Sequence, residues 1–401
     1  MDWQTLLREH PDGPLAPYSS KADQGTLAVA ERLFVEGRAT LDEAATILGV
    51  SPDVARDVLG RSGAFKRKKI LVCGGAGFIG SNFIRFLLGK YPHYEVVNFD
   101  KLTYAGNLDN LTGVDRDPRY TFIQGDIADP NAIDKVFSGG VDAVVNFAAE
   151  THVGRSIYYG AREFVHTNVL GVLTLLEAVK KFKTPRFVNV STDEVYGELS
   201  LQDQRAFDEN WPFQPNVPYA AAKAGGDLMC RAYWESYKTP VIVTHCSNNF
   251  GPHQHPEKLI PHSIFRAMAN QPLTIHGEGQ HVRDWIFVLD HCEALDRVLH
   301  QGKPGDVYNI GAGNEISVHK IAQLILDILG KPRTLFVNVP DRPGNDLRYS
   351  LDISKIQREL AWSPAHTFED AMPKTVQWYQ ANMDWVERVR ERDKKSLSYT
   401  I

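Results

Sequence analysis

The feature that most constrains this 401-residue chain is a short apolar run, Ile70-Leu71-Val72-Cys73. It passes directly into Gly74-Gly75-Ala76-Gly77-Phe78-Ile79-Gly80 and then into a helix-like stretch, Ser81 to Leu88. An uninterrupted apolar run of this length suits a parallel strand buried on both faces. Glycines at 74, 77 and 80 allow a tight turn, close approach of a pyrophosphate to the backbone, and close helix–strand packing. The first turn of the helix, with Phe78, Ile79 and Gly80, offers free N–H groups and the positive end of its dipole to phosphates. A glycine string alone could be a plain turn; its place between strand and helix is what dinucleotide binding needs.

The rest of the chain extends this unit. Glu95–Phe99, Tyr120–Ile123, Ala143–Phe147, Arg186–Val190 and Pro240–Thr244 read as further strands, and the segments between them are long enough for crossover helices. That alternation predicts an α/β fold, a Rossmann-type doubly wound parallel sheet. After about residue 250, Pro and Gly become frequent and the elements shorten (Leu273–Ile275, Val307–Ile310, a helix over 317–329). The expected division is a helical extension at 1–66, a nucleotide-binding domain at 67–250, a smaller substrate domain mainly at 251–385 with segments returning to the first, and a tail at 386–401. Asp100, ending the second strand, is placed to accept from both adenosine ribose hydroxyls, and its charge repels a 2′-phosphate, so NAD is favoured over NADP. Lys101 beside it weakens that preference. Asp126 and Ile127 follow the third strand, at the adenine edge. Ala148 and Ala149 follow the fourth and are small enough to let a cofactor lie close.

The fifth strand ends in Ser191-Thr192-Asp193-Glu194-Val195-Tyr196-Gly197. Ligands of open parallel sheets bind outside the carboxyl ends of the strands. A hydroxyl and two carboxylates are costly to hold there beside an apolar interior, although a helix cap with solvated acids is the plain alternative. Further on stands Tyr219-Ala220-Ala221-Ala222-Lys223, whose Tyr and Lys share a helix face. An ammonium near a phenol favours phenolate, which would make Tyr219 a usable base near neutral pH.

Together these stretches resemble the extended short-chain dehydrogenase/reductases, and among them the nucleotide-sugar 4,6-dehydratases, those of dTDP-glucose above all. The resemblance covers about residues 67–385 and also includes Asp100–Asn107, Asn146–Ser156, Ser247–Pro252, Pro256–Pro261, Arg283–Trp285 and Asp341–Gly344. It implies an NAD-dependent hydro-lyase. Tyr219 would take the 4-hydroxyl proton as hydride passes from C4 to NAD, with Thr192 bonded to the same oxygen. Glu194 would remove the C5 proton, Asp193 would protonate the departing 6-hydroxyl, and hydride would return to C6. Lys223 would lower the Tyr219 pKa and hold the nicotinamide ribose, and Tyr219 would also border the cofactor. One acid must then be protonated beside one that is ionised. Asn248, Lys258, Leu259, Arg283 and Arg342 match positions that hold the substrate nucleotide. Three positions depart from the family pattern. Gly154 stands for an Asp in His152-Val153-Gly154-Arg155-Ser156, Asn345 for a His after Arg342-Pro343-Gly344, and Val318 for an Asn. They leave the acid/base set intact and the sugar nucleotide open to UDP-glucose or UDP-N-acetylglucosamine. A 4-epimerase or decarboxylase on the same scaffold would not need Asp193 and Glu194. A regulatory NAD-binding protein would not need the set at all.

Composition excludes other classes. A formal net charge of −5 does not suit a general nucleic-acid or anionic-membrane binder. The four cysteines, Cys73, Cys230, Cys246 and Cys292, are scattered, with no metal-ligand spacing, so no metal is expected. The N-terminus lacks a secretory pattern and no apolar run approaches a membrane span, which predicts a cytoplasmic protein. A homodimer is the expected assembly. Residues 1–66 lie outside the resemblance. Thr40–Ala45 and Leu48–Arg56 echo a helix-turn-helix, with Leu41, Ala44, Ala45 and Leu48 on one apolar face and Val54 and Val58 on the next helix. That second helix carries Asp53, Arg56 and Asp57, a net acidic set unlike a DNA reader's. A docking or assembly role fits better than nucleic-acid binding.

Overall fold

A computed structural model of the chain describes residues 21–35, 41–52, 54–55, 59, 68–341 and 344–396. The chain divides into two compact units. One comprises Met1–Lys68 with Leu87–Glu95, the other Lys69–Phe86 with Val96–Ile401.

In the first unit, helices α1 (Lys21–Val35) and α2 (Leu41–Leu48) are joined by a small apolar cluster of Leu27, Ala30, Ala45, Leu48 and Ala55. Asp42 and Glu43 sit in the first turn of α2, where they complement the helix dipole. Gly49, at φ +67°, turns the chain beyond its end, as a C-terminal glycine does. Ala44, Ala45 and Leu48 are buried as the apolar face requires. Thr40, Asp53, Arg56, Asp57, Val58 and the side chain of Leu41 lie outside the described residues.

In the second unit, six strands follow in chain order: β1 (Lys68–Cys73), β2 (Tyr94–Asp100), β3 (Tyr120–Gln124), β4 (Ala143–Asn146), β5 (Phe187–Thr192) and β6 (Val241–Cys246). Then come β7 (Asn248–Phe250), β8 (Leu273–His276), β9 (Val282–Phe287), β10 (Val307–Ile310), β11 (Glu315–Ser317) and β12 (Phe336–Val339). The main sheet has seven strands in the order β10-β6-β5-β4-β1-β2-β3, with every pairing parallel. The order reverses between β1 and β4, so the loops after these two strands open the crevice in which such sheets bind ligands. Val307–Ile310, expected beside the shorter elements, returns to the main sheet, pairing Val307 with Val243 on β6. The inner strands are buried on both faces because helices cover them, while the edge strand β3 is only partly buried. Helices α3 (Phe78–Lys90) and α4 (Pro130–Ser138) follow β1 and β3, and α5 (Val172–Phe182) and α6 (Pro218–Tyr237) flank β5. On α5, Val172, Leu175, Leu176 and Val179 meet Leu71, Val144 and Phe187 of the sheet in one core. Each such side chain contributes about 1.5–3 kcal/mol by leaving water.

The C-terminal half has its own core. Helices α7 (Leu259–Met268), α8 (Val288–Gln301), α9 (Val318–Ile328), α10 (Phe368–Ala381) and α11 (Met383–Ser396) follow in order. Ile264, Trp285, Ile316, Ile321, Phe368 and Met372 are among the residues that pack there. Two small sheets, β11-β9-β7 and β12-β8, complete this half. The expected tail at 386–401 is corrected for most of its length. The helix runs to Ser396, because Trp385, Val386 and Val389 give it a buried apolar stripe in this core.

Candidate functional site

A cavity runs along the carboxyl ends of the main-sheet strands, from Gly74, Asp100 and Asp126 to Asp193, Tyr219 and Lys223. At its floor the glycine turn is enforced by space. Gly74 has φ +76°, and a Cβ there would stand 2.5 Å from the Ala148 backbone nitrogen. A Cβ at Gly80 would stand 2.4 Å from the Gly74 carbonyl oxygen. Phe78, Ile79 and Gly80 border the cavity with first-turn amides that have no intrahelical acceptor, a donor set that fits a diphosphate. Ala148 and Ala149 line the same wall, and Ile127 is buried beneath it.

Asp100 is buried and accepts from the backbone N–H groups of Ala76 at 2.9 Å and Leu102 at 2.8 Å. Burial raises its pKa and these two bonds oppose the shift. Each oxygen keeps a lone pair for a ribose hydroxyl. Lys101 does not stand free beside it, since its ammonium lies 2.8 Å from Asp126 Oδ2. Asp126 is therefore occupied by Lys101, by His166 at 3.4 Å and by the Ala128 amide, a fuller engagement than an adenine contact alone. Burial works to raise the Asp126 pKa, but these hydrogen bonds outweigh it and hold the carboxyl low.

The acid/base residues are brought together by β5 and the first turns of α6. Thr192 ends β5 and caps the 3₁₀ turn Asp193–Tyr196, its Oγ accepting from the Glu194 amide at 3.3 Å. The same hydroxyl donates to Asp193 Oδ1 at 3.2 Å. Asp193 is 2% exposed, and its Oδ2 has no hydrogen-bond partner among the described residues. Burial, then the charges of Glu194 and Asp284, raise its pKa well above the usual carboxylate range. Glu194 is only half-buried, so neighbours in sequence have different surroundings.

Pro218 at the first position of α6 fixes the entry of the helix that carries Tyr219 and Lys223 on its buried side. Burial and then the charge of Glu194 push the Tyr219 phenol well above its ordinary value. The Lys223 ammonium donates to the Val190 carbonyl at 2.7 Å. Burial lowers the Lys223 pKa while Asp227, one turn further along α6, opposes that shift. Asp227 itself accepts from Asn189 at 3.0 Å and from Ser191 at 2.5 Å, which ties the helix to β5.

On the substrate side, Asn248 and Lys258 line the cavity, and Asn248 Oδ1 is buried without a partner. Leu259 and Arg283 are not among the lining residues. Leu259 packs on the C-terminal core, because it starts the amphipathic helix α7. Arg283 lies over the Tyr349 ring at 4.3 Å and donates to the carbonyls of Val282 and Leu347. Its charge still lowers the Asp193 pKa, against the larger raising effects. Arg342 lies outside the described residues. Gly154 has room only against the His152 ring, 3.2 Å from a built Cβ. Asn345 donates to Asp341 at 2.8 Å and accepts from Arg283 at 3.4 Å. Val318 begins α9 behind its cap Ser317.

Sequence reasoning missed several lining residues: Tyr104, Asn107, Asn110, Trp385, Val389 and Arg392. The first two lie in a stretch that carried the resemblance, which was a usable signal. Val389 and Arg392 fall in the stretch expected to be a tail, and Trp385 ends the expected substrate domain. Among the described residues no group of three or more His, Cys, Asp or Glu is placed to hold a metal, and no helix is long and apolar enough to cross a membrane. The four cysteines are buried and free.

Residues 71–375 match the family model described as GDP-mannose 4,6 dehydratase. The chain is 47% identical over 334 residues to the dTDP-glucose 4,6-dehydratase of Streptomyces niveus, covering 82% of this chain and 98% of that protein. The crystal structure of a dTDP-glucose 4,6-dehydratase from Streptomyces venezuelae, which holds NAD, is 47% identical with a TM-score of 0.77, covering 80% of this chain and 99% of that one. That of Bacillus anthracis, also in complex with NAD, is 44% identical with a TM-score of 0.76, over 80% and 99%.

Proposed function

The chain belongs to the dTDP-glucose 4,6-dehydratase family of extended short-chain dehydrogenase/reductases, and from that membership we propose how its residues divide the reaction. It is an NAD-dependent hydro-lyase acting on a nucleotide sugar. The substrate is dTDP-glucose and the product dTDP-4-keto-6-deoxyglucose. When bound, NAD accepts hydride from C4, returns it to C6, and brings a cationic ring into the site.

The chain's own residues handle the protons. Tyr219 Oη receives the proton of the 4-hydroxyl, and Thr192 Oγ hydrogen-bonds the same oxygen. Oxidation at C4 acidifies the proton on C5, which the Glu194 carboxylate removes. Asp193 gives its proton to the 6-hydroxyl, which leaves as water, and Glu194 gives a proton back to C5 as C6 is reduced. The observation that carries this reading is the buried, unpartnered Oδ2 of Asp193 next to half-buried Glu194. Burial favours a proton on Asp193, while Glu194 beside it is only half-buried, the contrast in surroundings that acid and base chemistry at one pH requires. Burial and then the charge of Glu194 push the Tyr219 phenol up, and a positive charge bound beside it would favour the phenolate. Burial lowers the Lys223 pKa, Asp227 opposes that shift, and the Val190 carbonyl orients the ammonium. Gly74, Gly77, Phe78, Ile79, Gly80 and Asp100 hold the dinucleotide. Asn248 and Lys258 hold the substrate nucleotide, with Leu259, Arg283 and Arg342 supporting that side.

The same reading divides the second unit near residue 250 into a cofactor half and a substrate half, and places the protein in the cytoplasm as a homodimer. Support for the dimer is a row of exposed apolar side chains on segments that pack against one another: Tyr158 (57% exposed), Tyr159 (54%), Val165 (52%) and Leu228 (54%). The test of function is product analysis by mass spectrometry with dTDP- and UDP-sugars. Loss of one water from dTDP-glucose is the expected result. An unchanged mass with an epimerised sugar, or turnover confined to a UDP-sugar, would overturn the assignment.

A further inference from the structure

The C-terminal helix α11 reaches the nucleotide end of the cavity. Trp385, Val389 and Arg392 line it together with Tyr104, Gly106, Asn107 and Asn110 of the loop that follows β2. The contacts are directed. The Arg392 guanidinium donates to the Gly106 carbonyl at 2.8 Å and to the Tyr104 carbonyl at 3.0 Å. The Trp385 indole donates to Asn110 Oδ1 at 3.0 Å. Asn110 in turn donates to the Ala76 carbonyl at 2.9 Å, and the Asn107 amide bonds the same carbonyl at 2.9 Å. Ala76 belongs to the glycine turn and donates its own amide to Asp100. An unbroken hydrogen-bonded path therefore joins α11 to the glycine turn and the ribose-facing carboxylate.

The loop so held does not have an easy conformation. Leu102 has φ +57°, a left-handed region that L side chains rarely adopt. A Cβ at Gly106 would stand 2.9 Å from Asp100 Oδ1 and 3.0 Å from Leu102 Cα. A backbone in such a state persists only where its surroundings over-determine it. The other end of α11 is anchored elsewhere, since Trp385, Val386 and Val389 are buried in the core of the C-terminal half. Arg392 has no carboxylate partner among the described residues, so its positive charge is left facing a cavity shaped for a diphosphate.

We infer that α11 is part of the cofactor site. Arg392 and Trp385 hold the 102–110 loop closed over the dinucleotide, and Arg392 adds a positive potential that favours its diphosphate. This rests on the NAD reading above. It makes Arg392 a positioning residue for cofactor affinity, with no part in the proton transfers.

The test is calorimetric titration of NAD into full-length protein stripped of cofactor, for wild type, Arg392→Ala, Arg392→Lys and Arg388→Ala. The wild type comes first: if it binds no NAD, the cofactor reading itself fails. Given wild-type binding, Arg392→Ala should raise the NAD dissociation constant about tenfold or more, because two hydrogen bonds from a charged donor are lost. Arg392→Lys keeps the charge but not the fork, so it should fall between. Arg388→Ala removes an exposed pair with Asp109 and should leave the constant within about twofold. A thermal melt of each stripped variant and a titration with dTDP separate this from general damage. The inference expects dTDP binding to match wild type in Arg392→Ala and the melt to remain a single cooperative transition, lowered only slightly by the two lost hydrogen bonds. Equal NAD affinity in wild type and Arg392→Ala would overturn it, and so would an equal loss of dTDP binding.

Discussion

The two halves of the second unit build their parts of the site by different means. In the N-terminal half the floor of the cavity is backbone: a glycine turn whose neighbours leave no room for a Cβ, first-turn amides, and strand ends in parallel register. In the C-terminal half the wall is side chains from short strands and late helices, held by contacts between residues far apart in sequence, such as Trp385 with Asn110. Backbone sites depend on steric freedom at single positions, so one added methyl group disrupts them. Side-chain sites depend on several partners at once, so single changes there are shared out and effects should be smaller.

The largest effect is expected where the two halves meet the chemistry. Asp193→Asn removes the proton that the 6-hydroxyl needs, and product formation should fall by about 10²- to 10⁴-fold. Exchange of the C5 proton with solvent should survive, which isotope analysis of recovered substrate will read. The same variant makes a stability prediction. The folded pKa of Asp193 lies above its unfolded value of 3.8, so between 3.8 and the folded pKa the native state binds the extra proton. Stability therefore falls as pH rises through that window. Denaturation curves across pH should flatten there in Asp193→Asn. An unchanged pH dependence would mean that Asp193 is not held protonated.

Gly74→Ala attacks the backbone half directly. The added methyl meets the Ala148 backbone at φ +76°, and the strain should cost about 1–3 kcal/mol in urea denaturation while NAD binding is largely lost. A fully stable variant with wild-type NAD affinity would break the contrast between the halves. Asp100→Ala should be milder. It removes the acceptor placed for ribose hydroxyls and the charge that repels a 2′-phosphate, narrowing the preference for NAD over NADP by about tenfold in paired titrations. Smallest of all is removal of residues 1–64, none of whose described members lines the cavity. The turnover number of the shortened protein should stay within about twofold, a surface-level change, and a folded but inactive product would contradict that independence.

The contrast also explains what was legible in the sequence. Buried parallel strands are written as apolar runs, so Ile70–Cys73 and Ala143–Phe147 could be placed to within a residue or two of β1 and β4. The Thr192-Asp193-Glu194 and Tyr219/Lys223 groupings were visible because strand ends and helix spacing fix them locally. Strands β7, β9, β11 and β12 were not foreseen, since each is short and gains its pairing from a distant partner. Arg283 was expected at the substrate nucleotide from the resemblance. Its stacking on Tyr349 depends on a loop 66 positions later in the chain, which no local pattern reveals. The expected drop in the Tyr219 pKa rested on the helix spacing. Lys223 shares the helix face, but its ammonium donates to the Val190 carbonyl, while burial and then the charge of Glu194 push the phenol up.

The central claim is that adjacent acids divide the elimination, with Glu194 as the base at C5. Single turnover of Glu194→Gln with dTDP-glucose in deuterated solvent tests it most directly, following reduced-cofactor absorbance and the isotope content at C5. The account predicts that the cofactor is reduced, that no deuterium enters C5, and that little 4-keto-6-deoxy product forms. Dehydration at the wild-type rate, or full deuterium incorporation at C5, would contradict it.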